Sequence, residues 1–156
     1  MTHPELHQRI HDSFVRQGLM QHLGARLISV VPGEVELALP YSERVTQQQG
    51  GYHGGAMGAL ADIAAGYAGL TRAPEDMEVT TVEYKINFLA AFSGGELRAR
   101  GHVVRAGRRR VALRSDAADA GRRPQELLTP FPHLGASHAQ PARPELPTRR
   151  RHRRLA

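Results

Sequence analysis

Residues 52–71, YHGGAMGALADIAAGYAGLT, contain no proline and a single charged side chain, Asp62. A run of this length makes a helix about 30 Å long, and a helix apolar on nearly every side has to lie inside a core rather than on one. Met57, Leu60, Ile63, Ala64, Tyr67 and Ala68 form its broad stripe, and Pro74 closes it. Glycine and alanine fill much of the rest, which lets another backbone approach closely. Whatever else the chain does, it must wrap this helix.

The flanks supply the wrapping. Thr2 and Glu5 have capping-box spacing, Pro4 suits a first helical turn, and Leu6, Ile10 and Phe14 recur at helical spacing up to Gly18. This predicts an N-terminal helix within residues 1–20. Residues 23–31 and 34–39 read as a hairpin about Pro32-Gly33, with Val35, Leu37 and Leu39 alternating against Glu34, Glu36 and Ala38. The polar stretch 41–51 is a loop that delivers the chain to the helix. Beyond Pro74, residues 78–92 are rich in β-branched and aromatic side chains and read as a strand. Gly94-Gly95 and Ala106-Gly107 then turn the chain into strands over 96–105 and 108–114. The predicted fold class is α+β: helix, hairpin, long central helix, antiparallel meander.

At 156 residues the chain suits one domain, and the absence of cysteine removes disulfides, thiolate nucleophiles and cysteine-based metal sites. The net charge of +6 is lopsided: residues 1–112 hold 12 basic and 11 acidic side chains, residues 113–156 hold 9 and 4. The body is nearly neutral, which argues against specific nucleic-acid binding, and the terminal TRRRHRRLA reads as a non-specific basic tail. No apolar stretch is long enough for a bilayer and the N-terminus is not patterned as a signal peptide, so a cytoplasmic setting without membrane contact is expected. His3, His7 and His11 share a helical face without a carboxylate or cysteine block beside them, and read as solvated rather than metal-binding. Residues 113–156 contain no valine or isoleucine and hold 6 of the 10 prolines. The expectation is an Arg/Pro-rich disordered tail from residue 115, with the sheet short of its final strands.

The stretch QQQGGYHGGAMGALADIAAGYAG, an amide followed by His-Gly-Gly and then Asp eight residues after the first of those glycines, resembles the signature of the hotdog-fold acyl-CoA thioesterases of the PaaI-like, phenylacetate-degradation type. VTTVEYKINFLAAF and VVRAGRRR resemble the strand and turn that follow it, so the similarity runs from about Leu23 to Arg110. The resemblance implies a curved antiparallel sheet around the central helix, residues 21–114 as the thioesterase domain, and hydrolysis of an acyl-CoA to CoA and a free acid. It also implies roles. Gly54 would offer its backbone N–H to the thioester carbonyl, Asp62 would act as nucleophile or general base, and Gln47 and Thr81 would position the reactants. His53 belongs to the same motif. Phe88, Leu89, Ala90, Arg105, Gly107 and Arg108 match segments that contact CoA. No metal or redox cofactor is implied. Eight residues of helix separate Gly54 from Asp62 by about 12 Å, so a shared site needs two protomers, as a homodimer or a dimer of dimers. A hotdog module that binds acyl-CoA or a protein partner without turnover is the competing expectation.

Overall fold

A computed structural model describes residues 2–88, 91–92, 94–107, 110–119 and 135–141. The N-terminal segment is divided: α1 spans His3–Phe14, and Gly18, expected to end the first helix, instead opens a short α2 over Gly18–Leu23 that stops at Gly24 (φ +77°). Thr2 N–H donates to the Glu5 carboxylate at 2.7 Å, the return half of the expected capping box. β1 (Arg26–Val31) and β2 (Glu34–Pro40) form the hairpin, turning at Gly33 (φ +88°), and a 3-10 turn over Glu43–Val45 leads into the loop before α3 (Gly54–Leu70). β3 (Met77–Glu83), β4 (Glu96–Ala106), β5 (Arg110–Asp119) and β6 (Gly135–Pro141) complete one antiparallel sheet in the order β1-β2-β4-β5-β6-β3.

The sheet curves around α3, which packs on β2, β3, β4 and β5. Its crossing with β4 is backbone against backbone, because a Cβ built on Gly101 would overlap the Ala64 carbonyl. Leu37, Leu39, Leu60, Ala64, Leu97 and Ala99 form the dry centre between helix and sheet. α1 packs on β1 and against the C-terminal part of α3: Leu6, Ile10 and Phe14 are buried, and Phe14 meets Tyr67 edge-on with ring centroids 6.0 Å apart. Tyr67 accepts from Gln17 Nε2 at 2.9 Å and donates to Ser13 Oγ at 3.2 Å. Arg9 donates to the carbonyls of Ala73, Pro74 and Met77, at 3.2, 2.9 and 2.9 Å, and so ties α1 to the turn after α3.

Two expectations about the sheet need correction. The strand over 78–92 ends at Glu83, past an irregularity between Thr81 and Glu83, and the next residues leave the ladder. At the other end the sheet extends further than expected. β5 runs five residues beyond Arg114, and β6 lies inside the stretch expected to be disordered, pairing with both β5 and β3. GASHAQP carries no β-branched residue and no Phe, Tyr or Trp, but a strand between two neighbours is held by main-chain hydrogen bonds on both sides, which composition does not reveal. The remainder of the tail, 120–134 and 142–156, lies outside the described residues.

Candidate active site

The N-terminus of α3 leaves one amide over. His53 is the N-cap: its Nδ1 accepts from the Gly55 N–H at 2.8 Å, and its carbonyl accepts from Ala56 and Met57 at 2.9 and 3.1 Å. The His53 N–H is itself spent on Val45 O at 2.7 Å. Among the described residues no acceptor engages the Gly54 N–H, at the end of the helix where the peptide dipoles present their positive pole.

The loop before the helix is closed by a bridge between Thr46 and Tyr52, by Gln47 N–H to Gly51 O at 2.8 Å and by Gly50 N–H to Gln47 O at 3.0 Å. Gly50 takes φ +83°, the left-handed conformation that favours glycine. The Gln47 side chain folds back on this loop, its Oε1 accepting from the Gln49 N–H. Tyr52, which the sequence did not single out, anchors the loop to the sheet. Its buried hydroxyl donates to Leu39 O at 2.7 Å and lies 3.0 Å from Gly95 O. An aromatic residue inside a glycine-rich run was the available signal.

Two turns further along α3, Asp62 is half-buried and its Oδ1 accepts from Thr81 Oγ1 at 2.8 Å. The hydroxyl comes from β3, an edge strand of the sheet, so the pair lies beside an unpaired edge. Val82, the next residue, is 65% exposed. Beyond the ladder, residues 84–88 run back along α3 toward its start: Tyr84 and Ile86 approach Gly58, and a Cβ on Gly54 would stand 3.2 Å from Phe88 Cζ. Phe88 therefore lies at the glycine.

Arg105 and Gly107 are exposed at the opposite end of the helix. β4 starts beside Tyr52, where the Leu97 N–H reaches the tyrosine hydroxyl at 3.4 Å, and runs past Ala64 to Val103. There the Val103 N–H donates to Gly33 O at 2.9 Å, and the Gly33 N–H donates to Thr71 Oγ1 at 2.7 Å, at the C-cap of α3. Within one protomer the structure thus groups Gln47, His53, Gly54 and Phe88 at one end, Asp62 with Thr81 farther along, and Arg105 with Gly107 at the other end. Leu89, Ala90 and Arg108 lie outside the described residues.

A long helix gripped by a curved antiparallel sheet, with a free amide at its mouth and a carboxylate on its open side, defines a hotdog-fold protein built for ester or thioester chemistry. The thioesterase superfamily profile matches residues 49–123. A thioesterase family protein from Silicibacter pomeroyi is 34% identical with a TM-score of 0.72, over 86% of this chain and 93% of that one. SSO2140 of Saccharolobus solfataricus, an esterase by provisional name, is 31% identical over 65% of this chain and 72% of its own length. The PaaI protein of E. coli, from the phenylacetic acid degradation operon, superposes with a TM-score of 0.74 at 20% identity, over 88% of this chain and 95% of that one, a likeness of fold alone. The chain belongs to the thioesterase superfamily and is a hydrolase of the hotdog fold. No helix among the described residues is long and apolar enough to cross a membrane.

Proposed function

We propose that the protein hydrolyses acyl-CoA thioesters to CoA and free carboxylic acids, as a homodimer whose two sites are each completed by both protomers. The observation that carries this reading is the Gly54 N–H, the one amide of the first turn of α3 without an acceptor among the described residues. Aimed at the thioester carbonyl, such a preorganised donor stabilises the negative charge that develops on oxygen, an effect worth roughly a hundred- to thousand-fold in rate. Asp62 of the second protomer attacks the carbonyl carbon or takes a proton from the attacking water, and Thr81 holds that carboxylate in orientation. Gln47, in the loop beside Gly54, orients water or substrate. His53 shapes the helix entry as its N-cap, and the reaction as proposed uses only protein groups and water. The unpaired edge of β3 and the exposed Val82 give a second copy a place to dock next to Asp62.

The docking geometry follows from symmetry. A two-fold parallel to the helices would leave Gly54 of one copy about 12 Å in axial level from Asp62 of the other; a two-fold perpendicular to them, at the level of Gly58, brings each Gly54 opposite an Asp62. The helices then run antiparallel, and Arg105 and Gly107 of one copy approach the Gly54 end of the other, where arginine can meet the phosphates of CoA.

Complementation between two inactive variants tests the shared site. Gly54→Pro removes the free N–H at the first helical position, where proline is tolerated, and His53 already has the ψ of 131° that a residue before proline prefers. Asp62→Asn removes the carboxylate. Each variant alone is expected to be folded and nearly inactive toward acyl-CoA, and refolding them together is expected to restore up to about a quarter of wild-type turnover through mixed dimers with one intact site. Failure to restore turnover in demonstrated mixed dimers would contradict the shared site.

A further inference from the structure

Three glutamines stand in a row before the glycine-rich bend, and the structure separates them: Gln48 and Gln49 are exposed, whereas Gln47 is half-buried. Gln47 is also held at three points inside its own loop. Its N–H donates to Gly51 O at 2.8 Å, its carbonyl accepts from the Gly50 N–H at 3.0 Å, and its side-chain Oε1 accepts from the Gln49 N–H. Nε2 is left over, since among the described residues no acceptor engages it. What Gln47 can offer to an oxygen of substrate or water is therefore a donor.

That amide lies against Gly51. A Cβ built there would stand 3.2 Å from Gln47 Nε2 and 2.8 Å from Phe92 O, and the second separation is too short for any side chain. Gly51 has no positive φ, so it is the space and not the backbone conformation that calls for glycine. Of the two neighbours only one can yield. Phe92 O accepts from the Tyr52 N–H at 2.8 Å, and Tyr52 is pinned in turn by its buried hydroxyl, which donates to Leu39 O at 2.7 Å. The Gln47 side chain has rotatable bonds, and the 47–51 turn moves as a unit because the Gln47 N–H is bonded to Gly51 O. A side chain at position 51 is accommodated by pushing the turn off Phe92 and the Gln47 amide out of its place.

We propose that Gly51 is a positioning residue, whose missing side chain sets where the Gln47 amide stands relative to Gly54, a deepening that rests on the thioesterase reading above. Gly51 itself touches no reacting atom. The helix entry that follows it is held separately, by the His53 N–H on Val45 O at 2.7 Å. A shift of the 47–51 turn against that fixed entry changes the separation between the Gln47 donor and the Gly54 N–H, the two groups assigned to one thioester.

The test is kcat over a set of acyl-CoAs, followed by thiol release, for wild type, Gly51→Ala, Gln47→Ala and the double variant, with the thermal unfolding of each. Gly51→Ala is expected to fold and to lower kcat about ten- to a hundredfold, the scale of a misplacement on the order of 1 Å. In the Gln47→Ala background, where no amide remains to be displaced, the same substitution is expected to cost less than about twofold. Losses that multiply in the double variant overturn the assignment, because Gly51 then acts without Gln47. Wild-type kcat in Gly51→Ala overturns it as well. So does a Gly51→Ala chain that does not fold, since the strain then falls on the fold rather than on the amide. Gln47→Ala at the wild-type rate removes the role of Gln47 and that of Gly51 with it, while Gly54 and Asp62 stay in the mechanism. Wild-type protein that releases CoA from no substrate removes the thioesterase reading as a whole, a result distinct from each of the others.

Discussion

Thr81 Oγ1 on the edge strand donates to Asp62 Oδ1 on the central helix at 2.8 Å, so that the single charge in a twenty-residue apolar run is held by a hydroxyl brought from 19 positions away. The bond fixes one carboxylate oxygen, and the proposed mechanism uses the other.

Asp62→Asn is expected to lower kcat toward acyl-CoA by about 10²- to 10⁴-fold, the usual contribution of a positioned acid–base group. Asparagine is nearly the same shape and can still accept from Thr81, so circular dichroism and thermal unfolding should be close to those of wild type. Turnover at the wild-type rate would take Asp62 out of the mechanism.

In the proposed mechanism Thr81 acts through Asp62, to which it donates, rather than on the substrate. Thr81→Val removes the hydroxyl but keeps the shape, and is expected to lower kcat by roughly 10-fold, the weight of a hydrogen bond to a charged group, with KM little changed. Thr81→Ser restores the donor and should recover most of the loss. A KM effect without a kcat effect would point to a role in packing or binding instead.

Gly101 makes a prediction about stability. A Cβ on it would overlap the Ala64 carbonyl where β4 crosses α3, and helix backbone cannot move away as a flexible side chain can. Gly101→Ala is expected to destabilise the fold by about 1–3 kcal/mol or more, measurable as a lower denaturant midpoint, whereas Gly66→Ala, at a position where a Cβ would meet nothing within 4 Å, should leave the midpoint equal or higher.

Acid sensitivity is expected at Glu36. Burial alone would raise its carboxyl, but Arg98 at 3.1 Å and Arg100 at 3.0 Å outweigh this and hold it below its ordinary 4.5. Because the folded value is the lower one, the stabilisation is complete above the unfolded value and is lost as pH falls through the folded one. Glu36→Gln should therefore flatten the fall in Tm between about pH 4.5 and more acid conditions, and an unchanged acid limb would exclude Glu36 as its source.

Much of this was legible from the residues in order. The absence of proline and of all charge but Asp62 between Tyr52 and Thr71 dictated a buried helix, because such a segment cannot be solvated favourably on any face. Gly33, Gly94 and Gly95 marked turns because each takes a positive φ. The spacing of Gly54 and Asp62, about 12 Å by helical rise, is the basis for the proposal of a site shared between two protomers. What depended on tertiary structure is what local pattern does not encode. Composition pointed away from a strand at GASHAQP, yet β6 forms there because the edges of β3 and β5 offer hydrogen bonds on both sides. The hydroxyl of Thr81 could have faced either way until β3 was placed against α3. Arg105 and Gly107, grouped with Phe88 as CoA-contacting by the resemblance, stand at the far end of the helix from it because β4 runs the helix's length before reaching them. Periodicity is a property of a segment and can be read from it; the meeting of two segments depends on where every other segment leaves room.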